Sequence, residues 1–100
     1  MQAQELSPAD IIWQQITRAT KMSVGAREPK RDETGNVLTF KVTIKRGGVS
    51  NWIQVEYNRG TDEYKVTLIQ MRKFNRTEPK SQDGVQVSEL NEVIYRFCSY

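Results

Sequence analysis

The run Arg72-Lys73-Phe74-Asn75-Arg76 sets three cations around one aromatic ring, the composition that grips phosphates while a ring stacks on a base. A plainer account competes with it: a strand end entering a polar loop carries charge because it is solvated, and Phe74 then tucks under the terminal helix. Lys41, Lys45 and Lys65 fall on the outward phase of their strands and, with Arg72, would draw a basic stripe across an open sheet face. Glu56, outward on the neighbouring strand, interrupts that stripe, and cross-strand Lys–Glu pairing of ~0.2–1 kcal/mol accounts for the same residues more simply. Trp52 carries a different chemistry. The alternation that points Ile53 and Val55 inward sends its ring outward, where Thr39, Thr43 and Thr67 would complete a half-apolar patch of the kind that anchors protein partners. An arm, a long loop or a second copy of the chain covering that ring is the alternative, and a second copy is itself an interface.

Catalytic chemistry lacks its usual groups. The 100 residues contain no histidine, so the commonest general base near neutral pH and the commonest metal ligand are both missing. Ser7, Ser50 and Ser81 have no imidazole to activate them, and nothing marks a desolvated lysine that would replace it. Asp32-Glu33 and Asp62-Glu63 are adjacent pairs in turns, where neighbouring side chains diverge, which leaves room for weak calcium binding but not for a glycosidase pair. Gly25 and Gly47-Gly48 form no phosphate-cradling loop. The single cysteine, Cys98, can close no internal disulfide and reads as a small packing residue, with Arg96 the one cation near it. The expectation is a chain that is not an enzyme and uses no cofactor, no metal and no small-molecule substrate.

Fifteen Lys plus Arg against twelve Asp plus Glu leave a formal charge of +3, a mild excess that supports a nucleic-acid partner only weakly. The opening Met-Gln-Ala-Gln-Glu lacks a basic-then-apolar leader, and no stretch approaches the roughly 18 apolar residues that span a bilayer. With one cysteine and no disulfide to form, the chain reads as cytoplasmic, and no membrane partner is expected. At this length one domain over residues 1–100 is expected, with residues 1–6 flexible.

The elements that must position these groups begin at Ser7-Pro8-Ala9-Asp10, where a serine hydroxyl caps the first turn, proline takes its first position and Asp10 completes a capping box. Ile12, Ile16 and Ala19, with Ala9 before them and Trp13 at the core edge, predict one buried stripe on a helix from about 8 to about 21, closed by Gly25. Residues 26–36 carry charges and turn formers and predict an exposed loop. From Val37 the period becomes two: Leu38, Phe40, Val42 and Ile44 point one way, and Thr39, Lys41, Thr43 and Lys45 the other. A glycine turn at 46–49 leads to a strand with Ile53, Val55 and Tyr57 inward, and a turn at 59–62 leads to Tyr64, Val66 and Leu68. Ile69 and Met71 fall on the opposite phase, which predicts a bulge near Ile69-Gln70 or a strand end covered on both faces. Residues 75–84 predict a second long loop. Val87, Leu90, Val93, Ile94 and Phe97 then predict a closing helix of about 12 residues capped by Ser88 or Asp83. The fold class is α+β, an antiparallel sheet of three to five strands with an N-terminal and a C-terminal helix packed on one face.

Over about 90 residues the chain resembles a family of small, functionally uncharacterised proteins of bacteriophages and bacterial mobile elements. The similarity runs through Ala9-Asp10-Ile11-Ile12-Trp13-Gln14-Gln15-Ile16, through Met22 to Arg27, and through Leu38-Thr39-Phe40-Lys41-Val42. Its most distinctive part is Asp62-Glu63-Tyr64-Lys65-Val66-Thr67-Leu68 with Met71-Arg72-Lys73, similar to a family run in which Tyr-x-Val-x-Phe leads to Ile-Arg-Lys. The chain ends Cys98-Ser99-Tyr100 where the family often has Thr-Gly-Leu, and its strand connections differ. The resemblance implies the helix–strands–helix order and a phage-like origin, and it supplies no catalytic or ligand residue.

Two functions remain. The first is a protein-binding module that inhibits a host factor or self-associates, with Trp52, Thr43 and Thr67 at the contact. Its rival is a nucleic-acid binder using Lys41, Lys45, Lys65, Arg72, Lys73, Phe74 and Arg76.

Overall fold

The structure is a computed structural model that describes residues 7–43 and 50–98. The expected flexible residues 1–6, the strand residues Ile44 and Lys45 and the glycine turn at 46–49 lie outside the described residues.

The Ser7 hydroxyl accepts the Asp10 N–H at 3.3 Å, and the Asp10 carboxylate accepts the Ser7 N–H at 3.2 Å, so the capping box starts α1, Pro8–Gln15, as its residue types dictate. The helix does not continue to residue 21. The chain leaves helical geometry at Ile16 and re-enters it as α2, Arg18–Val24. Thr17 caps the new helix through Thr20 N–H, and Asn91 from the far end of the chain bridges the break. Its Oδ1 accepts the Thr17 N–H at 2.8 Å and its Nδ2 donates to the Gln15 carbonyl at 3.2 Å. A side chain 74 residues away thus supplies bonds the backbone gives up, which no local pattern encodes. The break rotates Ala19 out to solvent and gives its expected core place to Val24, while Ala9, Ile12 and Ile16 are buried as their spacing predicts.

Five strands follow: β1 Arg27–Arg31, β2 Val37–Val42, β3 Ser50–Asn58, β4 Glu63–Arg72 and β5 Asn75–Val85. They pair in that order as one antiparallel sheet. The inward phases of the three central strands match the alternation in the sequence, with Leu38, Phe40, Val42, Ile53, Val55, Tyr64, Val66 and Leu68 all buried. Of the two stretches expected as loops, 75–84 is the edge strand β5, and 26–36 is the edge strand β1 over Arg27–Arg31 with a turn left at 32–36. Nearly every residue of β1 and β5 is exposed, so neither shows the apolar alternation by which a strand is recognised. Both edges are also blunted, as exposed edges must be to avoid pairing with other chains. A bulge at Glu28, whose φ is 55°, precedes Pro29 in β1, and β5 contains Pro79 and two bulges. The bulge expected at Ile69-Gln70 therefore sits in the partner strand: β3 and β4 pair without interruption from Ser50–Met71 to Asn58–Glu63, and β5 carries the extra residue.

After Val85 a single 3-10 turn, Val87–Glu89, leads into α3, Leu90–Cys98. The Glu89 carboxylate accepts the Gln86 N–H at 3.3 Å, so the cap falls on Gln86 and not on Ser88 or Asp83. Leu90, Val93, Ile94 and Phe97 are buried, and Val87 is exposed. Helix α1 lies on β2 and β3, α3 on β4 and β5, and α2 against α3, all on one face of the sheet. The fold is α+β with two N-terminal helices, five strands and one C-terminal helix.

Candidate macromolecular interface

Strand pairing places the outward residues in rows across the sheet. One row runs Arg27–Lys41–Trp52–Ile69, the next Lys30–Thr39–Gln54–Thr67–Ser81, and a third pairs Glu56 with Lys65. Trp52 is half-buried on this face. The Lys30 and Lys41 ammonium groups each lie 5.7 Å from its ring centroid, so two charges sit over its π-cloud. Ile69 is beside it and only 5% exposed, which gives the apolar residues that broke the alternation their physical role: Ile69 and Met71 belong to the outward face.

Several expected contacts are placed differently. Thr67 is 6% exposed, with its hydroxyl 3.4 Å from that of Ser81, and Thr43 accepts a hydrogen bond from Arg27 Nη1 at 2.8 Å. Thr43 is exposed, yet it is held as an anchor for Arg27 at the rim of the patch. Among the described residues the basic stripe is interrupted. Lys65 lies directly across from Glu56, away from Lys41, and Lys45 is outside the described residues. Sequence reasoning missed Arg27 and Lys30, because the segment that holds them shows no strand pattern.

The topology sorts charge along the strands. Arg27, Lys41, Arg72, Lys73 and Arg76 lie toward one end of the sheet, against Glu28 and Glu78, with Lys30 and Lys80 level with its middle. Asp32, Glu33, Glu56, Asp62, Glu63 and Asp83 lie toward the other, against Arg31, Arg59 and Lys65. The small formal charge of +3 therefore hides a sheet with a cationic end and an anionic end.

At the cationic end β4 and β5 meet in a two-residue turn, Lys73-Phe74, closed by the Arg72–Asn75 pair. Lys73 adopts φ 53°, a conformation for which hairpin turns ordinarily select Gly or Asn. Phe74 is 99% exposed and does not tuck under the terminal helix. The ring–cation contacts of the described residues fall on Trp13 and Trp52, so both faces of the Phe74 ring are open. Arg76 bonds Glu78 at 3.2 Å, an exposed pair of small energetic weight.

The groups weighed for catalysis have structural surroundings. Ser7 caps α1 and Ser81 meets Thr67. Asp32 caps the turn before β2: the Thr34 hydroxyl and the Val37 N–H donate to it and hold its carboxyl below the usual value. Asp62 accepts the Tyr57 hydroxyl at 2.6 Å, which raises the Tyr57 pKa. Burial pushes the Cys98 thiol up to about 11, partly opposed by Lys80, so the sulfur is a protonated packing group at neutral pH. A cleft of about 350 Å³ at the anionic end is lined by Glu56, Glu63 and Asp83, but among the described residues no three acidic, Cys or His groups converge as metal ligands. Among the described residues no helix is long and apolar enough to cross a membrane. Compared with protein-family models, with curated proteins and with solved structures, the chain finds no match.

Proposed function

We propose that this chain is a small, non-enzymatic binding module of phage or mobile-element origin, working in the cytoplasm of a bacterial host by occupying a protein surface. The origin rests on the family resemblance alone. The contact is the outward sheet face around Trp52, and the observation that carries it is the half-buried indole with Ile69 and Met71 on the face opposite the three helices. Trp is the residue type most enriched among interface hot spots, and a rim of Lys, Thr and Gln around an apolar centre has the anatomy of a protein interface. Blunted edges argue against strand addition and leave the face as the available surface. The Lys30 and Lys41 ammonium groups already lie over the half-buried indole, which suits a protein partner better than a stacked base.

Trp52→Ala tests this reading. Light scattering and pull-downs from host lysate, run side by side on both proteins, should show a complex or oligomer with the parent chain that the variant loses, by roughly 30-fold or more in affinity for a hot-spot tryptophan. Identical oligomeric state and identical captured proteins for the two chains would remove Trp52 from the contact.

A further inference from the structure

We infer that the β4–β5 hairpin tip is a second, separate site, and that it takes single-stranded nucleic acid by stacking a base on Phe74 while Arg72, Lys73 and Arg76 hold the flanking phosphates. Three observations carry this. A large aromatic ring is 99% exposed at the two-residue turn of a long hairpin, where it contributes nothing to the core. The residue before it adopts a left-handed conformation that Gly or Asn would take at lower cost, so the turn spends backbone strain to present a lysine. The tip also projects from the cationic end of a sheet most of whose acidic residues lie at the other end, with Glu78, in an exposed pair with Arg76, and Glu28 as the exceptions. The contrast with Trp52 is chemical: two ammonium groups lie over the half-buried indole, whereas the Phe74 ring is open to stacking. An anionic polymer with planar bases complements this tip, because each base has a π-face and each linkage a phosphate. From Ile69, the partner of Trp52, to Arg72 the strand runs about 10 Å at strand rise before the turn that carries Phe74, so the two sites are separable by mutation.

Fluorescence anisotropy with fluorescein-labelled dT15 and the matching duplex, in 50 and 200 mM salt, tests the inference. The single strand should bind in preference to the duplex, and Phe74→Ala should weaken it roughly 5- to 150-fold, the range for loss of one stacked base. Three phosphate contacts give a salt slope of about −2 on logarithmic axes, so the fourfold rise in salt should cost about twentyfold. Trp52→Ala should leave dT15 affinity unchanged, which keeps this outcome distinct from that of the protein-binding face. Lys73→Asn supplies a readout that a merely structural turn would not show: it should raise the melting temperature by relieving the turn and lower dT15 affinity by removing a cation. The inference is overturned if dT15 gives no anisotropy change at 50 mM salt with protein on the order of 100 µM, the weak end of non-specific binding. Binding that Phe74→Ala leaves intact, or that prefers the duplex, overturns it equally.

Discussion

Asn91→Ala probes the least local feature of the fold, the clamp across the break between α1 and α2. The side chain donates to the Gln15 carbonyl at 3.2 Å and accepts the Thr17 N–H at 2.8 Å, groups a continuous helix would have paired within itself. A net ~0.5–1.5 kcal/mol per hydrogen bond gives ~1–3 kcal/mol for the pair. Thr17 is exposed, so water recovers part of the loss and the expectation settles at about 1–2 kcal/mol. For a domain of this size each kcal/mol lowers the melting temperature by about 4–8 °C. Urea denaturation followed by far-UV circular dichroism measures it, and the slope with denaturant should stay constant because the exposed surface does not change. Asn91→Asp keeps the acceptor and places a carboxylate in the first turn of α3, where the helix dipole returns ~0.3–1 kcal/mol, so it should fall between parent and Ala. An Asn91→Ala variant within about 0.3 kcal/mol of the parent, well under one net hydrogen bond, would refute the clamp and leave the break to Thr17 alone.

Three further outcomes are expected. Gly25 ends α2 at φ 65°, and a Cβ there would meet Thr43 Oγ1 at 2.9 Å, so Gly25→Ala should cost at least the ~1–2 kcal/mol of a left-handed non-Gly residue; Gly84→Ala, also at φ 65° but 3.9 Å from its nearest atoms, should cost less in the same melt. The Asp10 carboxyl is held below its usual 3.8 by the Ser7 hydroxyl and N–H, with Arg31 adding to the effect. A depressed carboxylate contributes stability above its unfolded value and loses it as pH falls through the folded one, so stability should drop below about pH 4, and less steeply in Asp10→Asn. Cys98, with its thiol near 11, should react with iodoacetamide at pH 8 on the order of a hundredfold more slowly than a free cysteine, and denaturant should abolish the difference.

The residues that made the interior legible are those whose two faces differ. Phe40 with Lys41, Ile53 with Gln54 and Val66 with Lys65 alternate because one side is core and the other water, and the Ser7–Asp10 box announces its helix within four residues. β1 and β5 stayed hidden for the converse reason: an edge strand with both faces wet has no alternation, and Pro29, Pro79 and Gly84, which protect or bend those edges, are the same residues that mark loops. Of the candidate sites, the composition of residues 72–76 and the outward phase of Trp52 are visible in one dimension. That Phe74 stands free, that Lys30 joins Lys41 over the indole, and that Lys65 faces Glu56 are not.

The amino-acid order by itself determines which side chains must leave water, where the first helix starts, and the phase of the three central strands, because each depends on neighbours within a few residues. Only the tertiary structure decides the helix break, the two edge strands and the division into a cationic and an anionic end. Those depend on strand register and on a bond between residues 74 positions apart, and register is a relation between segments that neither segment contains alone.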